Sequence, residues 1–244
     1  MYRWIALSLL LLSGCADTGA NNQRAQNSAK IHTELAGLYF ERAQMGPALS
    51  EVGLALDAKS NYAPAYNVRA LVHMALHEDS EAEADFQHSL SLDKSDSETQ
   101  INYGWFLCQR GKEKESITHF VAALKNPLYQ TPEQAYLNAA VCTQKVGNNT
   151  VAEDFYQRAL TVRPGLPQAL LGMAQLNFAK ENYGVARRYF NEYAAKNDNL
   201  TAEELWLAVR IERQLGDRNS VASYSMKLRN LFPDSKEARL LNAN

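Results

Sequence analysis

Small and large apolar residues recur along the chain every 34 residues, with a single spacing of 36. Six units result, and they begin at Ala29, Ala63, Ser97, Glu133, Pro167 and Thr201. Position 8 of each unit is alanine or glycine, position 20 is alanine or serine, and position 24 is valine or an aromatic residue. No window shows the period-2 alternation typical of strands. The pattern therefore predicts an all-α chain with two helices in each unit.

Turn-forming residues cluster between the predicted helices. Within units they occur at Met45-Gly46-Pro47, Arg110-Gly111, Val146-Gly147-Asn148-Asn149, Asn182-Tyr183-Gly184 and Leu215-Gly216-Asp217. Between units they occur at Ala63-Pro64, Arg163-Pro164-Gly165 and Phe232-Pro233-Asp234, and the longer third junction runs from Asn126 to Pro132. Position 27 is small in the first four units and becomes Tyr193 and Lys227 in the last two. The later units are thus less regular, as terminal repeats often are.

These units resemble the tetratricopeptide repeat. The resemblance implies a superhelical solenoid of six helix-turn-helix repeats within residues 29–244. The repeats cover residues 29–62, 63–96, 97–132, 133–166, 167–200 and 201–234, and a C-terminal tail follows. The small residues let the two helices of a unit approach closely, and the large residue fills the space beside the neighbouring unit.

The first residues have the pattern of a bacterial secretion signal. Arg3 supplies a positive charge, and the apolar run from Trp4 to Leu12 is too short to span a bilayer, which needs about 20 apolar residues. Leu12-Ser13-Gly14-Cys15 resembles a lipobox, which implies removal of residues 1–14 and lipidation of Cys15. The alternative is an ordinary signal peptide followed by a chance cysteine. Because Ala16 rather than aspartate follows Cys15, the lipoprotein sorting pattern implies the periplasmic face of the outer membrane.

The segment after the lipobox is small and polar. Ala16 to Ser28 has no apolar periodicity, so we expect a flexible tether, and residues 15–28 together form the predicted anchor region. Such a tether would reach on the order of 20 Å.

Charge and motif content argue against several functional classes. The 27 acidic and 25 basic residues nearly balance, so no basic surface for nucleic acid is expected. Phosphate-binding, zinc-protease and serine-hydrolase motifs are absent from the sequence. His73 and His77 have a spacing that can hold a metal, but a solvated helix end explains them equally well. We expect no enzyme activity, no small-molecule substrate and no cofactor other than the lipid on Cys15.

Two further cysteines form a candidate disulfide. Cys108 and Cys142 lie on the first helices of the third and fourth units, which pack side by side in such repeats. An oxidising compartment favours a bond between them. The alternative is a pair of buried free thiols that pack as small hydrophobic residues.

The first helices of stacked hairpins line a concave surface, which is the predicted binding groove. Its residues are Phe40, Asn67, Leu71, Met74, Ile101, Trp105, Leu137, Val141, Gln144, Leu171, Gln175, Phe178, Leu205 and Val209. A contiguous apolar surface usually marks a partner site, and Trp105 is the strongest candidate anchor. The alternative is that several of these side chains belong to the interhelical core.

Several segments refine the family assignment. Asn102 to Gln109, Asn126 to Tyr129, Ala186 to Phe190 and Leu228 to Pro233, together with the lipobox and six repeats, resemble the type IV pilus biogenesis lipoproteins of the PilF/PilW type, called pilotins. The resemblance implies binding to the type IV pilus secretin and promotion of its outer-membrane localisation and multimerisation. The alternative is a periplasmic envelope adaptor that recruits cell-wall hydrolases or serves outer-membrane protein assembly.

Overall fold

A computed structural model describes the backbone of residues 14–241 and the side chains of residues 19–241. Within residues 14–241 the chain forms thirteen α-helices and no strand. The helices are α1 (Gly14–Glu41), α2 (Met45–Ala58), α3 (Ala63–Ala75), α4 (Asp79–Leu92), α5 (Ser97–Gln109), α6 (Glu113–Ala123), α7 (Pro132–Lys145), α8 (Asn149–Val162), α9 (Pro167–Ala179), α10 (Tyr183–Ala194), α11 (Ala202–Leu215), α12 (Arg218–Leu231) and α13 (Lys236–Leu240). The predicted all-α helix-turn-helix repeat architecture is confirmed.

The chain divides into two compact units between Phe106 and Leu107, within α5. In unit 1, α1 packs on α2 and α3 packs on α4. In unit 2, the hairpins are α7 with α8, α9 with α10 and α11 with α12, and α13 packs on both helices of the last hairpin. Each hairpin corresponds to one predicted repeat.

Small residues at positions 8 and 20 are buried because they lie where two helices approach most closely. All six residues at position 8 are buried, as are five of the six at position 20. The large residues at position 24 are 0–2% exposed in the first five repeats: Val52, Phe86, Phe120, Tyr156 and Phe190. In the last repeat Ser220 and Tyr224 are only half-buried, and Lys227 is exposed. This more polar outer face suits a terminal repeat, which has no following hairpin to cover it.

Aromatic rings fill the core of unit 1 beside α4. The fully buried ring of Phe86 lies 5.4 Å from Tyr103 and 5.7 Å from Phe106, measured between ring centroids. The contacts of Phe86 with Tyr103 and Phe106 pack α5 against the preceding hairpin. Nearer the start of unit 1, Ala36, Val52 and Ala55 form a second buried cluster with Ala65.

The core of unit 2 contains a close approach between α8 and α9. Tyr156 lies against Gly172, so a Cβ atom added to Gly172 would approach Tyr156 Cε1 and Oη to 2.6 Å. Tyr156 donates a hydrogen bond from its hydroxyl to Gln144 Oε1 at 2.7 Å, and burial raises the pKa of its phenol to about 12. The Tyr156 side chain is therefore fixed by close packing against Gly172 and by its hydrogen bond to Gln144.

Substitution Gly172→Ala is expected to lower the free energy of unfolding by about 1–3 kcal/mol, because the added methyl displaces the buried Tyr156 ring. This loss appears despite the better helix propensity of alanine, worth about 1 kcal/mol. The control is Gly53→Ala on α2, where a Cβ meets nothing within 4 Å and a gain in stability is expected. Urea unfolding measures both, and equal stabilisation by the two substitutions would contradict the close packing.

The turns inside five repeats use the same conformation at position 15. Ala43, His77, Gly111, Gly147 and Glu181 all have positive φ, between 56° and 78°. Gly46 and Gly184, predicted as turn residues, lie instead in the first turns of α2 and α10. The sharp reversal needs a left-handed residue at one fixed position, and non-glycine residues there accept a cost of about 1–2 kcal/mol.

The structure differs from the expected tether at the start of the chain, because α1 already begins at Gly14. The packed part of α1 supplies a formed helix, and further residues add to it at lower cost than a new helix because nucleation is already complete. Ala25 and Gln26 are half-buried, and Lys59 donates a hydrogen bond to Gln26 Oε1. Residues 1–13 of the predicted signal segment lie outside the described residues, and so does the Cys15 side chain.

No described helix is both long and apolar enough to cross a membrane.

Candidate partner-binding surface

Unit 1 contains the first half of the predicted groove. Phe40, Leu71, Met74 and Trp105 are half-buried on the first helices of the first three repeats, and we call them the unit 1 face. Ile101 is only 7% exposed and belongs to the core. Partial exposure of four large apolar side chains leaves surface that a partner can cover.

Two amides join neighbouring first helices in unit 1. Asn102 on α5 donates a hydrogen bond from Nδ2 to Asn67 Oδ1 on α3, at 3.2 Å. Asn67 is 3% exposed, so its predicted position in the groove is internal. The pair connects α3 to α5 and thus supports the placement of Leu71 and Trp105.

Unit 2 contains the second half of the prediction. Leu171 and Phe178 on α9 are half-buried, Gln175 between them is exposed, and Val141 on α7 is 36% exposed. Leu137 is 6% exposed and packs in the core. Leu171, Gln175 and Phe178 have i, i+4, i+7 spacing, so they lie on one face of α9.

The prediction for α11 is wrong. Leu205 and Val209 are 1% and 0% exposed and pack with Leu228, Ala238 and Leu241 under α13. The reason is that α13 and α12 cover this side of α11 in the last repeat. A different face of α11 is accessible.

Trp206, Arg210 and Arg213 lie on that accessible face of α11, again with i, i+4, i+7 spacing. Arg210 Cζ lies 4.2 Å from the centroid of the Phe178 ring, and Arg213 Cζ lies 5.2 Å from the Trp206 ring. Both contacts have cation–π geometry. These residues are not among the predicted groove residues, although the aromatic and cationic stripe on one helix face is visible in the sequence.

A buried carboxylate lies beside this face. Glu212 is 4% exposed, its Oε2 is 3.6 Å from Arg187 Nη1, and that oxygen accepts no hydrogen bond. Burial raises the pKa of the Glu212 carboxyl, and the Asp217 charge raises it further against the opposing effect of Arg187. Glu212 and Arg213 line a cavity of about 320 Å³ at the turn between α11 and α12.

The two cysteines of unit 2 lie together. Cys108 and Cys142 have a Cα–Cα distance of 5.8 Å, which suits a disulfide, and their sulfur atoms are bonded. Both side chains are buried, and Ser116 Oγ lies 3.5 Å from Cys142 Sγ. The bond joins the end of α5 to α7 and encloses α6 with the longer junction.

The histidines considered as metal ligands have other surroundings. His73 Nδ1 is 2.5 Å from Glu78 Oε2, and its Nε2 is 3.9 Å from Asp85 Oδ2. His77 occupies the left-handed turn position after α3. Asp85 is held by Arg69, whose Nε and Nη2 donate at 2.7 Å. Among the residues whose side chains are described, no group of three or more His, Cys, Asp or Glu residues is arranged to hold a metal ion.

Comparison with known proteins places this architecture in a specific group. No model of a known protein family matches the chain. The crystal structure of PilW, a widely conserved type IV pilus biogenesis factor, is 31% identical over 87% of this chain and 97% of that protein, with a TM-score of 0.79. The chain belongs to the PilF/PilW family of type IV pilus biogenesis proteins.

Other PilF/PilW relatives agree with this assignment. The type IV pilus assembly protein PilF of Pseudomonas aeruginosa is 24% identical over 93% of this chain and 91% of its own length. The solved structure of P. aeruginosa PilF matches this chain with a TM-score of 0.83 at 23% identity, and the match covers 98% of the PilF chain. YrrB, a tetratricopeptide-repeat protein with an unusual peptide-binding site, has a TM-score of 0.63 at 16% identity, which shows the repeat fold alone. The protein is thus a tetratricopeptide-repeat type IV pilus biogenesis factor.

Proposed function

We propose that this PilF/PilW-like protein is a pilotin. It binds the type IV pilus secretin, holds it at the outer membrane and promotes its multimerisation, through binding and without chemistry of its own. The observation that carries the proposal is its family membership together with a half-buried apolar face on the first helices of unit 1.

The unit 1 face supplies the kind of surface that binding needs. When a partner covers large apolar side chains that are partly exposed to water, the removal of their surface from water favours binding. Trp105 is the anchor of this face, because aromatic residues dominate the binding energy of protein interfaces. A helix or extended segment of the secretin would lie across α1, α3 and α5 of unit 1.

The lipid on Cys15 gives the second element of the proposal. Three acyl chains, at about 0.8 kcal/mol for each buried CH₂, would hold the protein at the membrane for practical purposes permanently. Binding would then bring the secretin to the same membrane. The helical segment 19–28 leads directly into the first repeat, so it would position unit 1 near the anchor.

Substitution Cys15→Ala in the chromosome tests the anchor. We expect the variant protein in the soluble periplasmic fraction. We also expect a several-fold loss of secretin multimers from the outer membrane, because the protein that binds the secretin is no longer attached to that membrane. Membrane fractionation and unheated gel electrophoresis measure both. Normal outer-membrane retention of the variant would contradict lipidation at Cys15. Unchanged multimers with a displaced protein would contradict the role of the anchor in assembly.

A further inference from the structure

The accessible surface of unit 2 carries unneutralised positive charge. Arg210 is exposed and Arg213 is half-buried on the face of α11 that also contains Trp206. Neither guanidinium forms an ion pair or side-chain hydrogen bond with any residue whose side chain the structure describes. We call Arg210, Arg213 and Trp206, together with Leu171, Gln175 and Phe178 on α9, the Arg210 patch.

The carboxylates of α11 and of the N-cap of α12 have other surroundings. Glu212 is buried and lies toward Arg187, with 3.6 Å between its Oε2 and Arg187 Nη1. Asp217 accepts hydrogen bonds from the backbone N–H and hydroxyl of Ser220, both at 3.0 Å, and caps α12. Tyr193 donates to Glu204 Oε1, and Glu203 pairs with Lys236. The charge of Arg210 and Arg213 is therefore available to a partner.

The ring contacts orient the guanidinium groups. Arg210 Cζ lies over the Phe178 ring, 4.2 Å from its centroid, and the Phe178 ring in turn lies 5.5 Å from the Tyr183 ring, measured between centroids. A guanidinium that packs its face on an aromatic ring keeps the N–H donors at its edge free, and these match the two oxygens of a carboxylate. Beside them, Leu171 and Phe178 expose apolar surface, and Gln175 exposes an amide.

We propose that the Arg210 patch binds a peptide segment of the partner that carries an Asp or Glu side chain next to an apolar residue. The carboxylate accepts hydrogen bonds from Arg210 and Arg213, and the apolar side chain packs on Phe178 and Leu171. The identity of the partner as the secretin rests on the proposed function, whereas the preference for acidic peptides is a property of the patch itself.

The test uses the full-length lipoprotein in detergent and a displayed library of random twelve-residue peptides with amidated C-termini. Selection on the wild-type protein is expected to enrich Asp or Glu beside an apolar residue. Arg210→Ala is expected to abolish this enrichment and to weaken binding of the selected peptides about 10- to 100-fold. Replacement of the acidic residue by its amide in the peptide should give the same loss on the wild-type protein and no further loss on the variant.

The matched control is Arg188→Ala. Arg188 is also exposed and lies 5.0 Å over an aromatic ring, that of Tyr189 on α10, outside the patch. This variant is expected to keep both the enrichment and the affinity. Circular dichroism confirms the folding of both variants, and Arg210→Lys should recover only part of the affinity because it lacks the bidentate edge.

Several results would overturn the inference. They are selection without acidic enrichment, equal enrichment on Arg210→Ala, or enrichment only when peptides have free C-termini, which would assign a terminal carboxylate instead. Concentration-dependent dimerisation that Arg210→Ala abolishes would assign the patch to a second copy of the chain. A pull-down of the secretin runs in parallel: capture by wild-type protein without acidic peptide preference refutes the patch alone, whereas acidic preference without secretin capture refutes the proposed function alone.

Discussion

Removal of the Cys108–Cys142 disulfide is expected to lower the free energy of unfolding by about 3–4 kcal/mol. The two cysteines are 34 residues apart in sequence, so the bond restricts a long loop of the unfolded chain. The enclosed segment includes α6 and the longer junction between α6 and α7. Loss of the bond would therefore destabilise unit 2 in this region first.

The measurement is urea unfolding of the protein without its signal segment, with and without reductant. The wild-type protein should lose about 3–4 kcal/mol in reductant, and the Cys108→Ala, Cys142→Ala double variant should be equally unstable in both conditions. We choose alanine rather than serine because both cysteine side chains are buried, and a serine hydroxyl at either position would also be buried. If reductant leaves the free energy of unfolding of the wild-type protein unchanged, Cys108 and Cys142 are not bonded to each other.

Substitution Trp105→Ala is expected to weaken secretin binding by about 30-fold or more. Trp105 is the largest side chain of the unit 1 face and remains half-buried without a partner. Truncation removes the apolar area that a secretin segment would cover, and it leaves Leu71 and Met74 unchanged. Titration of the purified secretin fragment by calorimetry or fluorescence anisotropy gives the affinity.

The control for Trp105 is Leu54→Ala on α2. Leu54 is 46% exposed on a second helix of unit 1, outside the proposed face, so its truncation should change the affinity less than twofold. Trp105→Phe should keep most of the binding. If Trp105→Ala binds as well as Leu54→Ala while both remain folded by circular dichroism, the unit 1 face is not the secretin site.

The repeat architecture was predictable because its determinants are local and repeated. Ala36, Ala70 and Ala140 at position 8 are fully buried, as the need for close helix approach requires. The turn at position 15 was visible at Gly111 and Gly147, but Ala43 and Glu181 adopt the same positive φ without a glycine signal. There the tertiary requirement of the hairpin overrides residue preference.

The candidate surface was only partly predictable from sequence. Register alone cannot separate Leu71, which is half-buried, from Ile101 and Leu137, which lie in the core, because exposure depends on the neighbouring helices. The same limit explains the burial of Leu205 under α13. The contact between Arg210 and Phe178 joins two helices whose relative rotation no single segment encodes.

The start of the chain shows another limit of local patterns. A small, polar composition predicted a tether, yet α1 continues through this segment because the packed residues after Ala29 provide a formed helix. Composition reports whether a segment can fold alone. It does not report what an adjoining helix induces.

A deletion strain that lacks any second pilotin tests whether the protein promotes multimerisation of the type IV pilus secretin, as proposed. Unheated gels of isolated outer membranes measure the secretin multimer. We expect loss of the multimer, accumulation of monomer and recovery by the wild-type gene. Undiminished multimers in the outer membrane of the deletion strain would contradict the proposed function.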